Sequence, residues 1–455
     1  MNLAGGFDQY GVPSQDIMDL TKALGSGQEI GGALGDAYVS GGAAFRVQSL
    51  EGILKIVTFQ DKNIVFWKDI PKSQAFNTTE EYNVLKDYGA QGSGFMVEGG
   101  LPQEDTGVYE RKAAFIKVMG TTGSVTQLAT LTRSAHGDII GREAKTRTMG
   151  LLQNVENALF HGDSSLNSLA FDGIEKQIVD ANTASVLQQN VVDLRGAPLD
   201  EDTMENISRI VADNAGELTT LYASNQALTD LGKQILPNGR FSLPYGDKEG
   251  RLGYRVRHFD AQCGSFEMKP NLFLKAGALS RATAANGAPV TPAIVVVEAA
   301  TSDATALFAA TATQFYKAAA MNTLGESLAG PSASVSVVAG KRASITIAHV
   351  AGATSFKVYR GTTVGNMKEM VIVAAAAGSA DTVVLDRNFD LPGTSKAYGV
   401  MNDGEQGLNF KQLAPLQKVD LATVAASYRF MILLYGMPIV YAPLKMVVIK
   451  NIGTL

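Results

Sequence analysis

The sequence contains few residues whose types and spacing could support catalysis. The run His161-Gly162-Asp163-Ser164-Ser165 holds the residue types of a hydrolase triad. Side chains so close along a chain do not normally reach triad geometry, and no G-x-S-x-G nucleophile elbow accompanies them. The run therefore predicts a turn that ends a helix, and we predict no catalytic residue in this chain.

A metal site is not predicted either. The four histidines are scattered, and none lies in an HExxH motif or at metal-ligand spacing from another. They are His136, His161, His258 and His349. The single cysteine, Cys263, excludes a thiolate zinc site and an intramolecular disulfide framework. We expect Cys263 to be a small buried side chain.

Phosphate and cofactor motifs are incomplete. The run from Gly325 to Ser332 has the length of a phosphate loop, but Pro331 stands where the lysine is required, so a β-turn is expected. Gly92-Ser93-Gly94 lacks the third glycine of a dinucleotide fingerprint. Glu104-Asp105 and Asp200-Glu201-Asp202 fit a solvated loop and a helix start better than an acid/base pair. We predict no cofactor, no cofactor-binding residue and no enzyme.

Composition and charge narrow the class of partner. The net charge of −5 argues against a protein that tracks phosphates tightly, although it permits an inert container around DNA. Arg251, Arg255, Arg257 and His258 alternate along a predicted strand, which would face an acidic neighbour, weakly face nucleic acid, or simply be solvated. Only 18% of the residues are charged, against about 25% in an average protein. That balance suits a chain that hides surface against its own copies, and equally an Ala/Gly-rich enzyme.

The first part of the chain predicts an arm and a β-rich excursion. The first 50 residues are glycine-rich, so they form either an extended arm that orders against something else or a disordered segment. The 455 residues suffice for two to four domains, and no signal peptide or membrane-length apolar run is evident, so we expect a soluble chain made inside the cell. Residues 53–68 are strand-like. Two further β-favouring runs, 108–118 and 124–132, flank a hairpin signal at 119–123.

The clearest helix is predicted from Asp138 to Phe160, about 35 Å long, with Asp138 as its N-cap and Gly162 as its stop. Its apolar positions at helical spacing include Met149, Leu152, Val155 and Leu159. The opposite, polar face is predicted to carry Arg142, Lys145, Arg147, Asn154 and Glu156.

An α/β body is predicted next, followed by an all-β region. The body comprises a helix over 199–217, a strand at 221–223, and a helix over 225–235 that ends before Pro237. From Gly277 to Asn402 short strand signals recur without a helix, which predicts an all-β sandwich. The predicted strands are 293–297, 314–321, 333–338, 344–348, 355–360 and 369–373.

Two runs in the all-β region, 316–327 and 353–361, resemble strands of fibronectin type III or immunoglobulin-like domains. The run that resembles a late strand comes first, so the domain is either circularly permuted or similar only in part. Towards the end of the chain, the apolar runs 430–434 and 445–449 flank a Gly/Pro corner. We expect these runs to close the core with the C-terminus and to leave no tail for a signal or anchor.

The order of these parts resembles the major capsid proteins of tailed phages, of the Hong Kong-ninety-seven type. The run 154–165 with the following 171–174 is similar to the spine-helix end in one branch of this family, and 415–452 is similar to its C-terminal strands. The resemblance implies an α+β capsid fold with an N-terminal arm, an extended β-loop, a spine helix, peripheral and axial domains, and an immunoglobulin-like all-β insertion. The implied boundaries are 1–50 for the arm, 51–135 for the loop and peripheral strands, 136–196 for the spine helix and peripheral domain, 197–280 for the first axial part, 281–405 for the insertion and 406–455 for the closing strands.

The function implied by the resemblance is mechanical. Copies would form hexamers and pentamers of an icosahedral shell around double-stranded DNA, held without sequence specificity, in a virion assembled in the host cytoplasm. Implied partners are scaffolding and portal proteins and a decoration or cement protein, with no membrane partner. An encapsulin-like cellular compartment and an immunoglobulin-like adhesin are the alternatives. The adhesin is disfavoured because the chain has neither a signal peptide nor disulfides.

Overall fold

The computed structural model of the chain describes residues 60–89, 95, 97–100, 106–132, 137–184, 190–238, 257–299, 301–422 and 425–455. The predicted N-terminal arm, Gly92-Ser93-Gly94, Glu104-Asp105, His136, Arg251 and Arg255 lie outside the described residues. The helices are Phe66–Asp69 (α1), Gln127–Leu131 (α2), Ile139–His161 (α3), Ile174–Ala184 (α4), Glu201–Asp213 (α5) and Asn225–Asn238 (α6). The α+β class predicted from the sequence is confirmed.

The strands dominate the described part of the chain. They are Lys72–Gln74 (β1), Thr79–Asp87 (β2), Val108–Phe115 (β3), Lys117–Thr126 (β4), Val191–Asp193 (β5), Thr220–Ala223 (β6), His258–Ala261 (β7), Gly264–Pro270 (β8), Ile294–Glu298 (β9), Ala312–Met321 (β10), Ala333–Val337 (β11), Ala343–Ile347 (β12), Ser355–Gly361 (β13), Lys368–Ala374 (β14), Thr382–Asp386 (β15), Ser395–Val400 (β16), Leu408–Asp420 (β17), Ser427–Val440 (β18) and Val447–Ile452 (β19).

A six-stranded mixed sheet forms the centre of the body, in the order β5-β19-β16-β6-β8-β7. Because side chains alternate along a strand, its strands contribute to two cores. Leu221, Val447 and Ile449 pack with α5 and α6 on one face. Tyr222 and Val448 pack with α3 and α4 on the other. The body is therefore a sheet covered by helices on both faces, as the predicted strand and helix alternation indicates.

The long helix α3 confirms the predicted spine helix within one residue at each end. The Asp138 carboxylate accepts hydrogen bonds from the backbone N–H groups of Ile140 (3.1 Å) and Gly141 (2.8 Å). Gly162 is the C-cap. The predicted polar face was wrong at one position, because Glu156 is fully buried on the face that carries Val155 and Leu159.

A second, four-stranded sheet in the order β1-β17-β18-β4 packs against α3. The predicted corner between the apolar runs 430–434 and 445–449 is confirmed at a 3₁₀ turn over Pro443–Lys445, although β18 first continues through Gly436 and Pro438. Strand β4 pairs with β18 only as far as Gly436. Beyond that point Gln177 of α4 takes the place of a strand, because its Nε2 donates to the Pro438 carbonyl (3.1 Å) and its Oε1 accepts from Val440 N–H (2.9 Å). Pro438, which has no N–H group, thus lies where β4 no longer neighbours β18 and no hydrogen-bond donor is needed on that side.

Two further sequence predictions in this region were wrong. The segment predicted as strand-like over 53–68 begins, in its described part, with a 3₁₀ turn at Asp61–Asn63 and then α1. The hairpin signal at 119–123 lies inside the uninterrupted strand β4, and the residues after Thr126 form α2. The glycines there serve close strand packing, since a Cβ at Gly123 would lie 2.4 Å from the ring of Phe430.

That close packing leads to a stability prediction. Gly123→Ala should destabilise the protein by about 1–3 kcal/mol, because the buried Phe430 ring has no room to move away from a new methyl group. Gly150→Ala is the matched control. Gly150 lies on the exposed side of helix α3, and a Cβ there would meet no atom within 4 Å, so the change should stabilise the protein by about 0.5–1 kcal/mol. Urea unfolding of both variants measures the difference, and equal effects would contradict the packing argument.

The all-β sandwich predicted from the sequence is confirmed between β8 and β16. One sheet has the order β11-β10-β13-β14 and the other β15-β12-β9, and their inner faces share one core. The strand β15 was missed by the sequence prediction. Arg360 of the first sheet and Asp386 at the end of the second form a buried ion pair (2.6 Å), and Tyr316 donates to the same carboxylate (2.8 Å). The immunoglobulin-like character of this domain stays a prediction.

Several smaller predictions have mixed outcomes. The helix α6 continues through Pro237 to Asn238, so the prediction that it ends before Pro237 was wrong. Cys263 is exposed in the turn between β7 and β8, so the prediction of a buried cysteine was wrong as well. The acidic run at 200–202 does start a helix, with Asp200 as the N-cap of α5. No helix in the described ranges is long and apolar enough to cross a membrane.

Candidate assembly site

Among the strands that the structure describes, β2 and β3 pair with each other only, as a two-stranded antiparallel sheet that we call the ribbon. One face of the ribbon contacts the body. The ring of Tyr82 meets that of Tyr441 edge to face at 5.2 Å, and Glu80 forms an ion pair with Lys411 at 3.3 Å. The burial of Tyr82 raises the pKa of its hydroxyl. These contacts hold the ribbon by its inner face.

The other face of the ribbon carries exposed apolar side chains. Leu85 and Tyr109 lie opposite each other across the two strands and are 39% and 73% exposed. Phe115 lies on the same face, paired across the ribbon with Thr79. The polar side chains Glu81, Asn83 and Arg111 lie between them on the same face, where Glu81 and Arg111 form an ion pair. Exposed apolar side chains flanking a paired polar centre make this face a candidate protein–protein contact.

Exposed apolar side chains are concentrated around the ribbon. Among the described residues between positions 76 and 131, the large exposed apolar side chains are Phe76, Leu85, Tyr88, Phe95, Val97, Val108, Tyr109, Phe115, Val118, Leu128 and Leu131. They come from the ribbon, its neighbouring loops, β4 and α2. Such a concentration on one stretch of chain is typical of a protein–protein interface.

A buried carboxylate anchors the segment that leads into the ribbon. The Glu156 carboxylate on α3 accepts hydrogen bonds from the backbone N–H groups of Val65 (3.2 Å), Phe66 (2.8 Å) and Trp67 (2.8 Å). The Nδ2 of Asn271 donates to it as well (2.8 Å). Glu156 thus satisfies the free donors at the start of α1 and ties three parts of the chain together. Sequence periodicity alone could not find this role, because a glutamate on a helix is usually solvated.

The end of α1 is anchored to the central sheet. The Asp69 carboxylate accepts a hydrogen bond from the Tyr222 hydroxyl (2.9 Å) and pairs with the Lys269 ammonium (2.8 Å). Burial, together with the negative charge of Asp69, raises the pKa of Tyr222 well above its ordinary value. The ring of Phe66 also stacks on that of Phe160 at 4.6 Å. The chain before the ribbon is therefore fixed to both the spine helix and the sheet.

The predicted turn at the end of the spine helix is confirmed, and it belongs to a polar cluster around Glu175. The Glu175 carboxylate accepts from Lys396 Nζ (2.5 Å) and from the Tyr398 hydroxyl (2.7 Å), and His161 Nδ1 lies 3.1 Å from it. Burial alone would raise the pKa of Glu175, but the charge of Lys396 and the contact with His161 lower it well below the ordinary value. Asp163 bonds to Ser165 instead of His161, so the triad residue types are not assembled into a triad.

The lowered pKa of Glu175 predicts a pH dependence of stability. Because the folded-state pKa lies below the unfolded value, the stabilisation is fully present above about pH 5 and is lost as the pH falls through the folded-state pKa. Glu175→Gln should therefore lose less stability than the wild type between pH 7 and pH 3. Urea unfolding at both pH values measures this. The control Glu143→Gln removes only a surface pair and should lose as much stability as the wild type between the two pH values. If Glu175→Gln also lost as much as the wild type, the prediction would be contradicted.

The described residues contain no group of three or more His, Cys, Asp or Glu side chains placed to hold a metal ion. The candidate site described above consists of the exposed ribbon face and the carboxylates of Glu156 and Asp69 that fix its base. Gly325 and Pro331 lie in the connection between β10 and β11. Arg257 immediately precedes β7, and His258 begins it.

Comparison with known proteins gives relatives along nearly the whole chain. The major capsid protein of Staphylococcus phage S25-3 is 27% identical over 483 aligned positions, which cover 99% of this chain and 98% of that protein. The major capsid protein of Staphylococcus phage K gives the same identity and coverage. No protein-family model matches the chain.

Solved structures with a similar course of the chain include Gordonia phage Cozz, at 11% identity and a TM-score of 0.47, covering 93% of this chain and 97% of the other. The holo-SrpI encapsulin complex from Synechococcus elongatus PCC 7942 is similar at 9% identity and a TM-score of 0.44, covering 92% and 96%. The sequence relatives confirm the resemblance predicted from the sequence: this chain is similar along nearly its whole length to phage major capsid proteins.

Proposed function

We propose that copies of this chain assemble through the ribbon into hexamers and pentamers of an icosahedral shell, which encloses the double-stranded DNA of a tailed phage. The observation that carries the proposal is the 27% identity to a phage major capsid protein across 99% of the chain. The alignment covers the whole length and is not confined to one domain, which favours a shared function of the whole subunit.

The ribbon fits this function physically. Its inner face is held by Tyr82 and Glu80, while Leu85 and Tyr109 on its outer face remain in water in the single chain. Burying such side chains contributes about 25 cal/mol per Å² of apolar surface. A neighbouring copy that covers the outer face would gain this energy at every subunit, and one repeated contact of this kind builds a closed ring.

The net charge of the chain fits a shell whose inner surface does not bind DNA tightly. A net charge of −5 gives little general attraction to phosphates, so packaged DNA would be held without sequence specificity. In this proposal the shell is built in the host cytoplasm with a scaffolding protein, carries a portal, and is reinforced by a decoration or cement protein. The chain itself would supply only structural contacts.

The cargo decides between a virion shell and a cellular compartment. Particles that contain this chain would be purified, treated with nuclease, and their nucleic acid extracted. Double-stranded DNA of uniform, genome-scale length protected inside the particles is the expected result. Particles filled with a protein cargo and free of DNA would contradict the proposal and favour the encapsulin-like alternative.

A further inference from the structure

The outer face of the three-stranded sheet of the sandwich breaks the usual pattern of a solvated sheet. On β9 and β15 the outward side chains are Val295, Val297, Val383 and Leu385, which are 63%, 52%, 58% and 42% exposed. An antiparallel sheet with one solvated face normally alternates apolar inward and polar outward residues. Here the alternation in burial is kept, but both faces are apolar.

The strand register makes these side chains one continuous patch. Ser344 of the middle strand β12 lies between Val297 and Leu385, and Thr346 lies between Val295 and Val383. The patch is thus two rows of three residues, with aliphatic side chains on both flanks and small hydroxyl side chains in the middle. Its six side chains carry no charge. We call this surface the sandwich patch.

The charges at the border of the sandwich patch are already paired within the subunit. Glu298, at the end of β9, bonds to Lys341 at 2.7 Å. Asp303 holds both Arg342 (2.9 Å) and Arg387 (2.8 Å). The hydrogen bonds from Thr305, together with those from the two arginines, lower the pKa of Asp303 well below its ordinary value. An uncharged centre with a compensated polar rim is the anatomy of a protein–protein interface.

We infer that the sandwich patch packs against the same patch of a second copy of this chain, face to face, in the assembled shell. This inference rests on the proposed function. In a two-fold contact the same patch meets itself, with residue i of one copy against residue j of the other and j against i. A patch of one charge would therefore repel itself, whereas this uncharged one does not. The flat face offers only two hydroxyl groups to a ligand, which gives a small molecule little to recognise.

The size of the patch explains why the contact belongs to the shell. Three strands about 4.8 Å apart and five residues of about 3.4 Å rise cover only about 250 Å². A stable pair of free proteins buries about 800 Å² on each partner. Two sandwiches alone therefore bind too weakly to pair in solution. Copies already held side by side in a shell meet at a high effective concentration, at which a small apolar contact suffices.

Cross-linking tests the inference directly. In a Cys263→Ser background, Ser344→Cys places one thiol at the centre of the patch, and a short bis-maleimide is applied to assembled shells and to free subunits of the full chain. The expected result is a covalent dimer in shells and its loss in free subunits. Val364→Cys, exposed on a different part of the sandwich, is the control that should not form the dimer under the same conditions.

A second variant tests the contact by charge. Val383→Lys places a positive charge in each of the two apposed apolar patches, so shells should melt at a lower temperature while the free subunit melts unchanged. Val383→Thr keeps the shape without charge and should leave the shells nearly as stable as the wild type. Shells that form normally but give no Ser344 dimer and tolerate Val383→Lys would overturn the inference and leave the proposed function standing. A chain that forms no shell under any condition would overturn both.

Discussion

Replacing Glu156 with alanine should lower the unfolding free energy by about 3–5 kcal/mol, which is a large part of the stability of a typical domain. The glutamate is fully buried and accepts hydrogen bonds from Phe66 N–H, Trp67 N–H and Asn271 Nδ2, each at 2.8 Å. Removing the acceptor leaves these donors without partners in a site that water reaches poorly. Urea unfolding of the purified variant measures the loss.

The cost should follow the number of acceptors that are lost. Glu156→Gln keeps one acceptor oxygen and should destabilise less than Glu156→Ala. Glu143→Gln, on the exposed part of the same helix, removes only a surface pair with Arg147 and should change stability by less than about 0.5 kcal/mol. A Glu156→Ala protein as stable as the Glu143 variant would mean that the carboxylate does not anchor the start of α1.

Removing two apolar side chains from the outer face of the ribbon should abolish assembly and leave the subunit folded. In the variant Leu85→Ser with Tyr109→Ser, the side chains are already exposed in the single chain, so unfolding free energy should change by less than about 0.5 kcal/mol. In an assembly the same side chains are expected to be buried against a neighbour, where a tyrosine truncation alone commonly costs about 2 kcal/mol or more. Because every subunit repeats the contact, the loss is multiplied over the shell.

Sedimentation velocity under assembly conditions measures this prediction, alongside urea unfolding of the same samples. Val364→Ser removes an exposed apolar side chain of the sandwich and is the matched control that should still assemble. If the ribbon variant assembled as well as the control, the outer face of the ribbon would not be an interface. If it failed to fold, the assumption that this face is solvated in the subunit would be wrong.

Local patterns in the sequence predicted most of the regular elements. The spine helix follows from its apolar spacing and from Asp138 as its cap, and the structure agrees within a residue. The strands of the sandwich follow from short β-branched runs, although β15 was missed. Both signals are local, because cap chemistry and side-chain alternation depend on residues a few positions apart.

The errors arise where a distant residue decides the local structure. The apolar segment before Lys68 has high β-propensity, yet α1 forms because Glu156, about ninety positions away, satisfies its first donors. Gly120 and Gly123 suggested a turn, but they make room for Leu433 and Phe430 of the neighbouring strand β18. Pro438 is tolerated in a strand because Gln177 covers its edge. Propensity is overridden by tertiary contact in all three cases.

The candidate site could be predicted only in outline. A β-rich excursion was expected from the sequence, but the two faces of the ribbon depend on its register and on Tyr441 and Lys411, which come from the other end of the chain. The same limit applies to the sandwich patch, where Val297 and Leu385 become neighbours of Ser344 only through sheet pairing.

Electron microscopy of the expressed full chain, with and without a co-expressed scaffolding protein, is the direct test of shell assembly. Closed shells of uniform size, or hexameric and pentameric rings that close into them, are the expected result. A chain that stayed a monomer or small dimer at high concentration under both conditions would contradict it.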